Sequence, residues 1–125
     1  MLNRIHISNL VIVRALDLTF DAGMTALTGE TGAGKSILID ALGLALGDKT
    51  DNSMIRAGAS KAEIGVGFEI SPDSAASAWL ERHDLASEEE CLLRRVLIRD
   101  GRSRAYINGT PTPLSSLREL GEMLI

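Results

Sequence analysis

The sequence predicts an α/β fold organised around a phosphate-binding loop, and three observations carry the prediction. The run Gly29-Glu30-Thr31-Gly32-Ala33-Gly34-Lys35-Ser36 fits the pattern G-x-x-x-x-G-K-[ST] without a mismatch. Met24 to Thr28 before it reads as a short buried strand, and Ser36 to Leu46 after it carries apolar residues at helical spacing. Other segments alternate apolar and polar residues, as half-buried strands do. Glycines at 29, 32 and 34 let the backbone turn its N–H groups inward, and the following helix adds free N–H groups and a positive dipole end. Such a loop suits a di- or triphosphate. Lys35 would reach the β- and γ-phosphates as a point charge, and the Ser36 hydroxyl would be one ligand of a magnesium ion. The bland alternative is a chance glycine-rich turn, which does not account for the two flanks.

In chain order, Leu2 to Leu10 sets Ile5 and Ile7 on one face and Arg4, His6 and Ser8 on the other, a first strand that bends at Asn9. Leu16, Leu18 and Phe20 alternate in a second strand, and Asp21-Ala22-Gly23 turns into the third. His6 has no histidine or cysteine partner nearby, so a solvated strand face explains it better than a ligand site. In the helix after the loop, Leu38, Leu42 and Leu46 recur at i, i+4 and i+8 with Ile39 beside them, the face expected to pack on a sheet. Gly43 interrupts that helix, and Gly47-Asp48 ends it. Lys49 to Ser60 is a polar connection carrying Arg56, which position alone leaves as a solvated loop residue.

Ile64, Val66, Phe68 and Ile70 alternate with Glu63, Gly65, Gly67 and Glu69, the clearest strand in the chain. Ser71-Pro72-Asp73 caps a helix from about Ser74 to His83 with Trp79 and Leu80 inward, and Glu88-Glu89-Glu90 reads as a solvated connection. Cys91 to Arg99 and Arg102 to Ile107 flank Asp100-Gly101, a sequence suited to a two-residue type I′ turn. Asn108-Gly109 is expected to end the second arm. Arg94, Arg95, Arg99, Arg102 and Arg104 surround the turn; they either keep a sheet edge solvated or form a local contact to nucleic acid or a partner. The candidates for DNA phosphates are Arg99, Arg102 and Arg104. Thr112-Pro113 opens a last helix with Leu114, Leu117, Leu120 and Leu124 on one side. Met123-Leu124-Ile125 brings no cap or polar tail, so a further element is expected beyond it.

At 125 residues the chain is about one domain long, with the 45% hydrophobic and 24% charged residues of an ordinary globular protein. A net charge of −4 argues against a broad electrostatic grip on nucleic acid by this chain alone. The single cysteine, Cys91, cannot form an internal disulfide and reads as a small core residue in a reducing compartment. Neither a secretory leader nor a membrane span is evident, so a cytosolic protein is expected. A nucleotide hydrolase of this class also needs a magnesium-binding acid on a second strand and a residue orienting the attacking water. Neither is evident here; Ile37-Leu38-Ile39-Asp40 lies within the phosphate-loop helix.

ISNLVIV at the start, GETGAGKSILIDALGLALG around the loop, IRAGASKAEI after it and CLLRRVLIRDGRSRAYINGTPTPLSSLRELGEMLI at the end resemble the N-terminal head segment of the RecN family, bacterial SMC-like DNA-repair ATPases. The resemblance covers nearly the whole chain, and the GETGAGKS form together with RDGRSRAYING is far more specific than the phosphate loop alone. It implies a P-loop NTPase of ABC/SMC-head type, with residues 1–125 as the N-terminal lobe only. The coiled coil and the C-terminal lobe, bearing the signature motif, the magnesium acid and the catalytic glutamate, would lie elsewhere. It implies that Gly29 to Ser36 bind the phosphates of ATP with Mg2+ on Ser36, and that Arg56 corresponds to a loop arginine near nucleotide and DNA. It further implies ATP hydrolysis in the intact protein, with this piece alone inactive, and a partnership of the head with its own C-terminal lobe and a second head. DNA would be held at double-strand breaks for repair and recombination, in a cytoplasmic, nucleoid-associated setting with no membrane partner. Many of the wider SMC class carry a basic residue just after the first strand; Leu10-Val11-Ile12 has none, leaving Arg14 as a substitute. Leu10 to Val13 also lacks the adenine-stacking aromatic usual in transport ATPases. The rival readings are a transport-type subunit, a small nucleotide kinase and a nucleotide-binding module that never turns over.

Overall fold

Side-chain alternation along the strands decides which face of the sheet carries the core. The computed structural model describes residues 2–11, 13–19, 32–87 and 90–124, with the backbone alone at 32–36. In it, β1 (Leu2–Leu10), β2 (Val13–Thr19), β3 (Lys61–Glu69), β4 (Glu90–Ile98), β5 (Arg104–Ile107) and β6 (Thr110–Thr112) form one antiparallel sheet in the order β2-β1-β3-β4-β5-β6. Ile5 and Ile7 of β1, Ala62, Ile64, Val66 and Phe68 of β3, Cys91, Leu93 and Leu97 of β4, and Ala105 and Ile107 of β5 are all buried. Among the described residues there are three α-helices: α1 (Gly32–Ala45), α2 (Ala75–Arg82) and α3 (Leu114–Leu124). Helix α1 packs across β3 and β4, while α3 packs against β5 and α2. The strand expected over Met24 to Thr28 lies outside the described residues, as do Phe20, the turn at 21–23, Glu88 and Glu89.

The buried face of α1 differs from the expected one. Leu38, Ala41, Leu44 and Ala45 are buried, Leu42 and Leu46 are half-buried, and Ile39 is 69% exposed. At about 100° per residue the buried stripe centres on Ala41 and Ala45, which places Ile39 on the far side. The two alanines let the helix lie close to the sheet. Gly47, at φ +113, ends α1 in a Schellman motif: its N–H donates to Leu44 O at 3.2 Å, and the Asp48 N–H donates to Gly43 O at 3.0 Å. That return brings the Asp48 carboxylate over Gly43, where a Cβ would stand 2.4 Å from Asp48 Oδ2. Gly43 is therefore explained by the cap that follows it.

Helix α2 is present where the sequence predicts it, but its cap is Ser74 rather than Ser71-Pro72-Asp73, and it begins at Ala75. Ser74 is its N-cap and accepts from the Ser77 N–H at 3.1 Å. Trp79 is buried, stacks on His83 with ring centroids 3.9 Å apart, and donates to Glu119 Oε1 of α3 at 3.0 Å. Burial with a satisfied N–H makes Trp79 the link between the two helices.

In the C-terminal meander Asn108-Gly109 ends β5 as expected, but the Asp100-Gly101 turn departs from expectation and a further strand follows. The β4–β5 pairing runs Arg94↔Tyr106, Arg95↔Ala105 and Val96↔Arg104, one residue away from the register that a two-residue Asp100-Gly101 turn imposes. Asp100 takes φ +58, Gly101 stays out of the left-handed region, and the Gly101 N–H donates to Ile98 O at 3.0 Å. The tight turn therefore has Arg99 and Asp100 as its central residues, within a longer loop. A reciprocal pair holds it there: Asn52 Nδ2 donates to Asp100 Oδ1 at 2.8 Å, and the Asp100 N–H donates to Asn52 Oδ1 at 3.1 Å. The observed register keeps Ala105 and Ile107 inside and Arg104 outside. The two-residue type I′ turn occurs instead at Asn108-Gly109, with φ +48 and +84, joining Ile107 to Thr110. What reads as the end of an arm thus opens another strand, β6, whose Pro111 suits a sheet edge.

Candidate functional site

The last five residues of the phosphate-loop motif, Gly32 to Ser36, form the start of α1, several residues earlier than the apolar periodicity begins. A helix start leaves its first N–H groups without intrahelical partners, at the positive end of the dipole, so this backbone fits an anionic group. Gly29, Glu30 and Thr31 lie outside the described residues, and Lys35 and Ser36 are described by backbone only. Among the described residues no group of three or more His, Cys, Asp or Glu side chains could hold a metal ion.

The opposite end of α1 is gripped by two arginines. Arg95 of β4 is 1% exposed; its Nη1 donates to Leu44 O at 2.7 Å and Asp48 O at 3.0 Å, and its Nη2 to Ser103 Oγ at 3.0 Å. Arg118 of α3 donates from Nε to Gly47 O at 2.9 Å. Cations beside the last carbonyls of a helix meet the negative end of its dipole. Burial, and the positive charge of Arg118, hold the Arg95 pKa below the ordinary arginine value, with Asp48 opposing. Arg95 belongs to the alternating series Cys91, Leu93, Arg95, Leu97, and that phase was the available signal that it points inward.

Arg56 lies half-buried just after a single 3-10 turn, Asn52–Met54. Asp51 caps this turn, accepting from the Ser53 hydroxyl and, at 2.8 Å, from the Ser53 N–H; those bonds lower its carboxyl pKa. The segment docks on the end of β1, where the Arg56 N–H donates to Asn9 O at 2.8 Å and the Val11 N–H to Met54 O at 2.7 Å. Asn9 and Val11 adopt φ +54 and +52, so the bend expected at Asn9 is made while the strand continues to Leu10. Arg14 stands exposed on β2.

The arginines around residue 100 divide into distinct settings. Arg94 is on the outer face, 2.7 Å from Glu63 Oε1 and 4.9 Å above the Tyr106 ring. Arg99 turns toward the chain: Nε donates to Ala59 O at 2.9 Å, and Nη2 makes longer bonds, 3.4 Å each, to Ile55 O and Arg56 O. Arg102 and Arg104 are exposed, without a hydrogen-bond or ion-pair partner among the described residues. His6 pairs with Asp17 across β1 and β2 at 2.6 Å on the exposed face, in keeping with a solvated strand. Cys91 is buried, and burial pushes its thiol pKa up to about 12, as an inert core residue requires.

A family model described as an AAA domain matches residues 4–116. The chain belongs to the AAA domain family. The resemblance to RecN is also borne out: the chain is 51% identical over its whole length to the DNA repair protein RecN of Vibrio cholerae, covering 23% of that protein. It is 37% identical over 126 residues to the DNA repair protein RecN of Bacillus subtilis, covering 22% of it. The chain thus spans about a quarter of the length of these relatives. Among solved structures, the SMC head domain from Thermotoga maritima is 28% identical with a TM-score of 0.70, over 94% of this chain and 41% of that one. A structure described under ATP-driven dimerization and DNA-stimulated activation of SMC ATPases superposes with a TM-score of 0.77 at 22% identity, over 98% of this chain and 78% of that one. The fold is that of one lobe of an SMC-type head, a mixed α/β lobe with an antiparallel sheet. No described helix is long and apolar enough to cross a membrane.

Proposed function

We propose that the chain is the ATP-binding lobe of a RecN-type ATPase acting in DNA double-strand-break repair and recombination, within the cytoplasm and at the nucleoid. The observation that carries this is the complete phosphate-loop motif running into the first turn of α1, in a chain 51% identical to a RecN. In this reading Gly29, Glu30, Thr31, Gly32, Ala33, Gly34, Lys35 and Ser36 bind the nucleotide, with Ser36 on Mg2+, and Arg56 faces nucleotide and DNA. The ion supplies charge neutralisation between phosphate oxygens when bound. The backbone N–H groups of the loop and Lys35 hold and orient the phosphates. Hydrolysis requires residues of the C-terminal lobe and engagement of a second head, so this chain alone turns over negligibly. Of the arginines proposed for DNA, the exposed Arg102 and Arg104 supply phosphate contacts that do not depend on base sequence, and Arg99 stands behind them.

Calorimetry with Mg-ADP on the wild-type chain and on Lys35→Ala tests the reading. Removing the charge-assisted phosphate contact is expected to weaken binding by about 1.5–3 kcal/mol. Equal affinities would overturn it.

A further inference from the structure

The face of the sheet turned away from α1 and α3 is shaped and charged for contact. Its outward residues meet in register: Arg4 of β1, Gly67 of β3 and Leu92 of β4 form one row, and His6, Gly65, Arg94 and Tyr106 form the next. Side chains rise from β1 and β4 while β3 is bare between them. A furrow with a cavity of about 260 Å³ results, lined by Arg4, His6, Asp17, Gly65, Leu92 and Arg94. The two glycines have different causes. A Cβ at Gly67 would stand 2.9 Å from Arg4 Cγ and 3.1 Å from Arg4 Nε, so Arg4 lies flat across the strand and needs glycine beneath it. At Gly65 a Cβ would meet nothing nearer than His6 Cβ at 3.8 Å, so packing within the lobe does not ask for glycine there. Glycine weakens a strand interior and recurs where another backbone approaches closely.

Charge indicates what approaches. His6 is paired with Asp17 at 2.6 Å, and Glu63 is shared by Arg94 at 2.7 Å and Lys61 at 3.7 Å. Arg4 is exposed and has no hydrogen-bond or ion-pair partner among the described residues. The furrow therefore offers one unspent guanidinium, held flat against the sheet, beside the half-buried apolar Leu92. Four acids, Asp17, Glu63, Glu69 and Glu90, share this face by their register. A polyanion such as duplex DNA would bring its phosphates against them, and like charges brought together across an interface are costly. A lone carboxylate beside an apolar side chain meets Arg4 and Leu92 without that repulsion.

We propose that this face docks an acidic segment of a separate protein, laid along β3 with a carboxylate on Arg4 and an apolar side chain on Leu92. The gap above Gly65 lets the segment descend to the sheet, and the flat Arg4 is preorganised to receive it. The docking face is independent of the nucleotide reading given above.

Short random peptides displayed on phage and selected on the whole protein test the proposal. Enriched peptides are expected to carry Asp or Glu next to an apolar residue. A fluorescein-labelled peptide made from them should bind about tenfold or more weakly to Arg4→Ala, and equally so to wild type when its acid is replaced by the amide, as loss of a charge-assisted bond requires. Gly65→Val fills the furrow with a strand-favouring side chain, so it should lose the peptide by a similar factor while its Tm is kept or raised. Its melting curve thus separates a blocked site from a misfolded one. Peptides enriched without an acid, no enrichment at all, or binding kept by either variant overturns the proposal. So does a labelled DNA duplex that loses about threefold or more in affinity on Arg4→Ala, which assigns the face to nucleic acid, or self-association abolished by Gly65→Val, which assigns it to a second copy of this protein.

Discussion

Replacing Arg95 is expected to destabilise the lobe far more than replacing any of its neighbouring arginines. Its three hydrogen bonds, at 2.7, 3.0 and 3.0 Å, come from a charged donor. Bonds of that kind contribute about 1.5–3 kcal/mol each. Desolvating a cation costs several kcal/mol, and Arg95 Nε is buried without a partner, so much of that gross gain is cancelled. Truncation in Arg95→Ala removes the bonds, leaves the α1 carbonyls unsatisfied and opens a cavity under the sheet, for a net loss of about 3–5 kcal/mol. Arg95→Met keeps most of the apolar volume and should lose only about 1–3 kcal/mol, the cost of the stranded carbonyls. Urea unfolding followed by circular dichroism reads this as a drop in the midpoint of about 1–2 M at unchanged slope. An Arg95→Met variant as stable as wild type would refute the reasoning: the buried cation would then return no more than its desolvation takes.

The Arg94 guanidinium, bonded to Glu63 at 2.7 Å, holds the Glu63 carboxyl below its ordinary value against an opposing effect of burial. A depressed folded-state pKa contributes stability that is whole above the unfolded value of about 4.3 and is lost as pH falls through the depressed one. Glu63→Gln should therefore flatten the acid limb of a stability-versus-pH curve by less than about 1 kcal/mol, as suits a surface pair. Gly109→Ala, at φ +84 in open space, should cost about 1 kcal/mol and a few degrees of Tm, whereas Gly101→Ala has only the Ile98 side chain to displace and should cost less; the reverse order in thermal melts would restore the Asp100-Gly101 turn. Cys91, with its thiol raised to about 12, should resist alkylation at pH 8 in the native state and react in denaturant; rapid native labelling would contradict its burial.

The elements were legible wherever one local signal governed them. Alternation located β1, β2 and β3, and the polar Ser71-Pro72-Asp73 stretch located the start of α2 to within a residue or so, because each depends on neighbours a few residues away. The register of β4 and β5 was not legible, because Asn52, distant in sequence, holds Asp100 and competes with the local preference of an Asp-Gly pair for a tight turn. The same distance hides the bonds of Arg99 to Ile55 and Ala59 and of Arg95 to Leu44. Five arginines alike in composition therefore divide into a buried clamp, a loop tether, a surface pair and two exposed cations without a partner among the described residues. The exposure of Ile39 was within reach, since the helical angle already centres the stripe on two alanines, but larger side chains drew the face toward themselves. The phosphate loop was legible as a motif because its chemistry is local to the backbone.

The placement of β1 between β2 and β3 also sets an order of assembly. Pairing of β1 with β3 closes a loop from Leu10 to Lys61 that contains all of α1, whereas β4, β5 and β6 follow one another with short connections. Closure entropy rises with loop length, so the C-terminal meander is the cheaper nucleus and the segment carrying the phosphate loop is enclosed later. During synthesis the order of appearance is opposite: β1 leaves the ribosome early and keeps one edge unpaired until β3 follows. A nascent chain thus carries an open strand edge for as long as the phosphate-loop segment is being made, the interval in which it is most exposed to misassembly.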